Sequence, residues 1–267
     1  MNFYITKRSV LKIRQMHFGT LQQALDCNNA DVTYCKSIDK DYSSNVNQKN
    51  LLVQRQHTLI TDLTENEDAI LKKITKNCKY DIRRAEKDEI ESRVYETLNS
   101  ESDFQILKNF QKCYNQMFSS KGMSNKFNWN MVANGLKNKQ MIVTTNALLR
   151  NPSVVVYHAY SLDEKICCLE LSTSPIFSNM DKDLINIIGR MNKNLHWRDI
   201  LLLKSKGIKE LNWGGIKNYE TPDGITKFKM EFGGKHEVFC NYVVAHTLLG
   251  QIYKFLCSRR MNGLVKK

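Results

Sequence analysis

From residue 54 onward, stretches with helical apolar spacing alternate with short β-branched runs, and three of those runs follow one another with no helix between them. "QHTLITDL" reads as a strand. In "TENEDAILKKITKNCKYDIRRAEKDE", Leu71, Ile74, Cys78, Ile82 and Ala85 recur at helical spacing. Thr64 stands as an N-cap with Glu67 three residues on, so one long helix is predicted. "IESRVYET" is a second strand and "SESDFQILKNFQKCYNQMFSSKG" a second helix. "MIVTTNALL", "SVVVYHAYSL" and "KICCLELSTS" are three consecutive strands. "MDKDLINIIGRMNKNLHWRDILLLKSKGI" reads as two helices with a break at Asn192–Asn194. A short strand "KELNWGGI", a strand "HEVFCNYVVAH" and a closing helix "TLLGQIYKFLCSRR" follow. Helices mixed with consecutive strands predict an α+β fold, a mixed sheet with helices packed on it, and exclude the regular alternation of a doubly wound fold.

The first 53 residues are harder to read. "MNFYITKRSVLKIRQM" mixes apolar and basic residues without a clear period, and charges stand where the apolar core of a leader would lie. The polar stretch from 27 to 50 predicts loops or short strands. Residues 1–53 are therefore expected to form an N-terminal segment that packs on or completes one domain spanning 54–267.

Charge points to anionic partners. The formal net charge is +13, which favours phosphates, nucleic acid or acidic lipid surfaces without choosing among them. An apolar fraction of 42% is enough for a real core. The eight cysteines form no C-x-x-C pair and the histidines no H-E-x-x-H spacing, so no metal is predicted and the thiols are expected to be free, in a reducing cytoplasmic setting. No apolar run reaches roughly 18 residues, so no membrane span is predicted. Neither a P-loop nor G-x-G-x-x-G is present, and no G-x-S-x-G nucleophile motif appears.

The stretch "KFKMEFGGK", Lys227–Lys235, sets Phe228 and Phe232 four residues apart beside Gly233 and Gly234. The two rings can pack under a short helical turn and aim Lys229 the other way. The glycines can let backbone approach a ligand closely, because no Cβ intrudes. A histidine ordinarily titrates near neutral pH, which makes His196 one base candidate. Glu170, a charge inside the apolar run "CCLEL", is another. Trp197 is assigned to the binding set, although its bulk equally suits a core seam. Arg83 and Lys87 lie on a basic helix face, where a guanidinium fork suits a diphosphate or a nucleic-acid backbone and where a solvated face is the plainer reading.

Taken in order, these blocks resemble the Fem-type aminoacyltransferases of peptidoglycan bridge formation and their single-domain relatives in the GNAT acyltransferase superfamily. The matching residues are Tyr80, Ile82, Arg83, Arg84 and Ala85; Leu195, His196 and Trp197; Lys206 and Gly207; Gly214 and Gly215; and Phe228, Lys229, Phe232 and Gly233. Asn212 and Trp213 stand where the family usually has an Asp before its Gly-Gly, and the acetyl-CoA loop of ordinary GNAT enzymes is reduced to Gly189. The resemblance implies a GNAT-like sheet splayed between "KICCLELSTS" and "IKELNWGGI", with an acyl donor in the gap and Lys229 facing the acyl junction or a phosphate. It also implies a helix starting after Gly189 whose N-terminal amides face the donor, and Arg83 approaching the same cleft.

The activity so implied is acyl or aminoacyl transfer to an amine of a phosphate- or diphosphate-bearing cell-envelope precursor, a peptidoglycan peptide or an amino sugar of a polysaccharide. No cofactor is tightly held. The co-substrate is either an acyl-CoA or acyl-carrier thioester, or an aminoacyl-tRNA, so tRNA or an acyl carrier protein is the expected partner, with peripheral contact at the inner membrane surface as a further expectation. The alternatives are a basic nucleic-acid-binding module or a non-catalytic scaffold on the same fold.

Overall fold

The structure, a computed structural model, describes residues 2–8, 10–40, 48–176 and 180–265. In chain order it contains β1 (Asn2–Arg8), β2 (Leu11–Gly19), α1 (Leu21–Leu25), β3 (Val32–Ser37), β4 (Leu51–Asp62), α2 (Glu67–Lys73), α3 (Lys76–Ala85) and β5 (Ile90–Tyr95). These are followed by α4 (Glu101–Ser120), α5 (Trp129–Lys137), β6 (Met141–Leu148), β7 (Asn151–Leu162) and β8 (Ile166–Thr173). The last elements are α6 (Lys182–Ser205), β9 (Glu210–Gly215), α7 (Gly224–Met230), β10 (Lys235–Ala245) and α8 (Leu248–Val265). Among the described residues no helix is long and apolar enough to cross a membrane.

The chain forms two compact units, one from Met1–Thr58 and His236–Lys267, the other from Leu59–Lys235. Residue 53, the boundary expected from the sequence, lies inside β4.

In the first unit the strand order is β1-β2-β3-β10-β4. β1 and β2 form an antiparallel hairpin, β2 and β3 are parallel, and β3 and β10 are antiparallel. The mixed apolar and basic pattern of residues 2–19 is thus a strand pair. On β2, Leu11 and Ile13 are buried while Lys12 is exposed. Met16, Cys35, Cys240, Tyr242 and Val244 form one of its cores. Asp39 fastens this unit by accepting from the Leu21 amide at 2.9 Å and the Tyr242 hydroxyl at 3.1 Å. Residues 41–47 of the polar stretch lie outside the described residues.

In the second unit the order is β4-β9-β8-β7-β6-β5. β5 to β8 form an antiparallel run, and β8 and β9 are parallel. The parallel pair requires a long crossover, which α6 supplies. The central core gathers Leu59, Ile70, Ile82, Tyr160, Ile200, Trp213 and Phe232 from β4, the helices and the sheet. Burying each such side chain contributes roughly 1.5–3 kcal/mol. The Trp213 indole N–H donates to Thr61 Oγ1 at 2.8 Å, so this large ring is buried with its one polar group satisfied.

Two helical expectations are corrected. The long helix predicted from Thr64 is two helices, because Ile74 and Thr75 are extended (ψ 139 and 153) and Thr75 caps α3 through the Cys78 amide. Asn66, not Thr64, caps α2. Conversely, the break predicted at Asn192–Asn194 is absent, and α6 runs unbroken for 24 residues. Both asparagines are buried and hydrogen-bonded by their side chains: Asn192 to His158, and Asn194 to Asn146 at 3.2 Å. Polar residues that would mark a break on a surface helix are here held in its interior. Consequently no helix begins after Gly189, which lies within α6, and no helix N-terminus is available there for a donor. α5, a nine-residue helix capped by Asn128, was not foreseen.

Candidate functional site

The ladder between β8 and β9 runs from Ile166–Glu210 to Cys168–Asn212. Past it, Gly214, the penultimate residue of β9, has φ +72, and a Cβ there would stand 2.6 Å from the Leu169 carbonyl oxygen. Only glycine takes that conformation and that approach without strain.

Lys229 on α7 reaches this point. Its Nζ donates to the Gly215 carbonyl oxygen at 3.0 Å, which leaves donor capacity on the ammonium for a second acceptor. Asp223 caps α7 through the Thr226 amide at 2.8 Å and so fixes the helix that carries Lys229. Phe228 and Phe232 meet edge to face at 5.6 Å; Phe232 is in the core and Phe228 packs against it. Burial pushes the Lys229 amine down to about 8, against an upward pull from Cys168 and Asp223.

A cavity of about 580 Å3 opens beside this lysine, within the range usual for ligand sites. Lys229, Phe228 and Asp223 come from the α7 region, Glu170 and Leu171 from β8, Asn192 and His196 from α6, and Tyr114, Met117 and Phe118 from α4. Glu170 accepts from the Ser161 hydroxyl at 2.7 Å.

Behind the cavity lies a buried polar network. Asp199 Oδ2 is 2.7 Å from His158 Nδ1 and accepts from the Tyr160 hydroxyl at 2.8 Å. His158 Nε2 is 2.8 Å from Asn192 Oδ1. His196 stacks on His158 with centroids 3.8 Å apart and packs against Trp213, Phe228 and Phe232. Burial, then the neighbouring His158 and Lys229, holds His196 well below its usual range, so it is neutral. His158, His196 and Asp199 bring their ligand-capable atoms within 4.8 Å of one another. Both His158 nitrogens and the Asp199 oxygen are already engaged with protein groups, so the donor set suits a hydrogen-bonded network better than a metal.

The sequence-derived residues separate accordingly. Lys229, Glu170, His196 and Phe228 line one cavity, and Gly215 is bonded to Lys229. Arg83 on α3 and Lys87 in the turn after it are exposed and are not among the lining residues, so the expectation that Arg83 enters this cleft is corrected. The inward face of α3 packs on α6 and leaves Arg83 on the outward one. Trp197 is half-buried against the core and does not line the cavity, and Phe232 is wholly buried.

The glycine pair also has a different task from close approach to a ligand. Gly233 and Gly234 have φ +74 and +100, and a Cβ on them would come within 2.9 Å of the Lys73 Cβ and 3.1 Å of the Ile60 carbonyl oxygen. They let the turn after α7 pass against the chain's own backbone, and Gly233 borders a separate cavity of about 550 Å3 with Asp62, Glu65 and Lys73. Sequence reasoning missed the α4 wall, Asn192 and Asp223. Asp223 had a local signal, an Asp three residues before a Thr at a helix start; the other residues reach the cavity only through tertiary packing.

Comparison with known proteins places the fold. The C-terminal domain of a protein assigned as a lysylphosphatidylglycerol synthetase, from Agrobacterium fabrum, matches with TM-score 0.55 and 11% sequence identity, over 95% of this chain and 83% of that chain. L-PGS from Bacillus licheniformis matches with TM-score 0.52 and 10% identity, over 94% of this chain and 83% of that one. FemX matches with TM-score 0.58 and 10% identity, over 94% of this chain and 85% of that one. At such identities the likeness is one of fold: this chain has the GNAT-like mixed sheet flanked by helices that its sequence predicts. No protein-family model and no curated protein sequence matches it.

Proposed function

We propose that the Leu59–Lys235 unit is an N-acyl- or aminoacyltransferase whose reaction takes place in the Lys229 cavity. The observation that carries this reading is the placement of a half-buried amine at the end of β9, hydrogen-bonded to Gly215 and open to a cavity of ligand size. The fold it shares with FemX and with proteins named for lysylphosphatidylglycerol synthesis supports it.

In such a reaction the acceptor amine attacks the donor carbonyl carbon. A C–N bond forms, the C–S or C–O bond of the donor breaks, and the proton lost by the amine ends on the leaving thiol or hydroxyl. No covalent intermediate on the protein is required. What the site must supply is position and a charge opposite to the developing oxyanion. Lys229 supplies that charge: with its amine near 8, the ammonium form predominates at pH 7. Glu170 and the neutral His196 are the proton acceptors that line the same cavity.

The donor is an acyl thioester or an aminoacyl-tRNA, and the acceptor an amine on a cell-envelope precursor. The test is mass-spectrometric detection of an amide product from amine acceptors incubated with each donor class. Enzyme-dependent product with either donor supports the reading, and none with both removes it.

A further inference from the structure

We propose that the Lys229 cavity takes an acyl group bearing a bulky apolar substituent, either an alkyl chain or an apolar amino-acid side chain. This rests on the acyl-transfer reading of the same cavity and adds the class of group transferred. The polar lining groups include Asn192 and His196 of α6, Glu170 of β8, Asp223 and Lys229 at the two ends of α7, and Lys121 at the C-terminus of α4. Among them stands an apolar set: Met117 and Phe118 of α4, Met123 just beyond it, Leu171 of β8, and Ile225 and Phe228 of α7.

Two of these are unusual for their exposure. Met123 is 44% and Ile225 53% exposed, yet both border a cavity. Apolar side chains gathered around a concave site, and left open to water there, mark the place where an apolar ligand is covered. A glycyl or acetyl group has only three or four heavy atoms and would leave most of this apolar set against solvent. Met117 and Met123 add unbranched thioethers that adapt to ligand shape. Phe118, braced by Tyr114 at 4.6 Å between ring centroids, gives the set a fixed edge.

The experiment is calorimetric titration of the whole chain with three probe series. Straight-chain alkanamides from two to eight carbons represent the alkyl source. The amides of glycine, leucine and phenylalanine represent the aminoacyl source. Alkylamines of matching length represent an apolar acceptor. Affinity should rise roughly fourfold per buried methylene in a carbonyl series, and the series with the steeper rise identifies the source. Met117→Gln should flatten the rise. Ile225→Gln, at an exposed position where folding is not at stake, should flatten it too. A flat response to size in both carbonyl series, or a rise confined to the alkylamines, would overturn the proposal. Binding needs no turnover, so a size-dependent affinity in a protein that transfers nothing would keep the apolar site and remove the transferase reading.

Discussion

Lys229 Nζ and the carbonyl oxygen of Gly215 are 3.0 Å apart, and this bond ties the short helix α7 to the end of β9. The amine is consequently held where the β8–β9 ladder has ended, beside the Leu169 carbonyl that Gly214 approaches. Burial is the main force on its protonation, and the balance leaves it near 8.

The pH profile of transfer follows. The ammonium is the working form, so rate attributable to Lys229 should be full below about 8 and fall as pH rises through that value. Lys229→Arg keeps its charge far above this range. Its high-pH limb should therefore move upward, even though the longer, planar group lowers the rate. Profiles of kcat/KM for the two proteins between pH 6 and roughly 10 check this.

Stability should respond with the opposite sense. The folded state disfavours the ammonium, so between about 8 and the ordinary lysine value of 10.5 the unfolded chain binds more protons than the folded one. Stability from this group therefore rises with pH across that window. Urea unfolding of wild type and Lys229→Met at both ends of the window should show wild type gaining relative to the variant.

Asp199 is 1% exposed and satisfies both His158 and Tyr160. Asp199→Ala strands two buried polar groups and should cost about 3–5 kcal/mol, as breaking a buried pair typically does. Asp199→Asn keeps one acceptor oxygen and should cost less. Chemical denaturation measures both.

Gly214→Ala should disturb the site chiefly through the backbone, its Cβ meeting Lys229 Nζ only at an ordinary contact distance of 3.7 Å. Its Cβ would sit 2.6 Å from a backbone oxygen at φ +72, a strain of roughly 1–3 kcal/mol. Since Gly214 precedes the acceptor of the Lys229 bond, transfer should fall together with the melting temperature.

Much of this was legible in the sequence where the signal is local. β5 to β8 follow their β-branched runs, and the Phe228–Phe232 spacing marks the two rings of α7 that pack on the core. The failures share a cause. The Ile74–Thr75 break hid inside an apolar stripe that continues in phase across it. Asn192 and Asn194 resembled a helix break because their partners, His158 and Asn146, are remote in sequence. α5 reads "WNMVANGLK", whose Asn and Gly weaken its helical signal. The roles of Gly233 and Gly234 depend on Lys73 and Ile60, more than 150 positions away. Arg83 was placed by motif order, which does not report which way a helix face turns.

Arg83 on α3 and Lys87 just after it, both exposed, should matter only for a long polyanionic donor. Arg83→Ala with Lys87→Ala should leave turnover of a small thioester unchanged. If an aminoacyl-tRNA is the donor, the pair should weaken its binding and reduce the salt slope by about one to two phosphate contacts. Titrations at several salt concentrations separate the two donors.

The most direct measurement is the single-turnover rate of wild type and Lys229→Met with saturating donor, both proteins shown to be folded by their thermal melts. Loss of a charge that acts on the transition state should lower the rate constant about 100- to 1,000-fold, with donor affinity changing by less than about tenfold. Equal single-turnover rates in the two proteins would contradict a transfer site centred on Lys229.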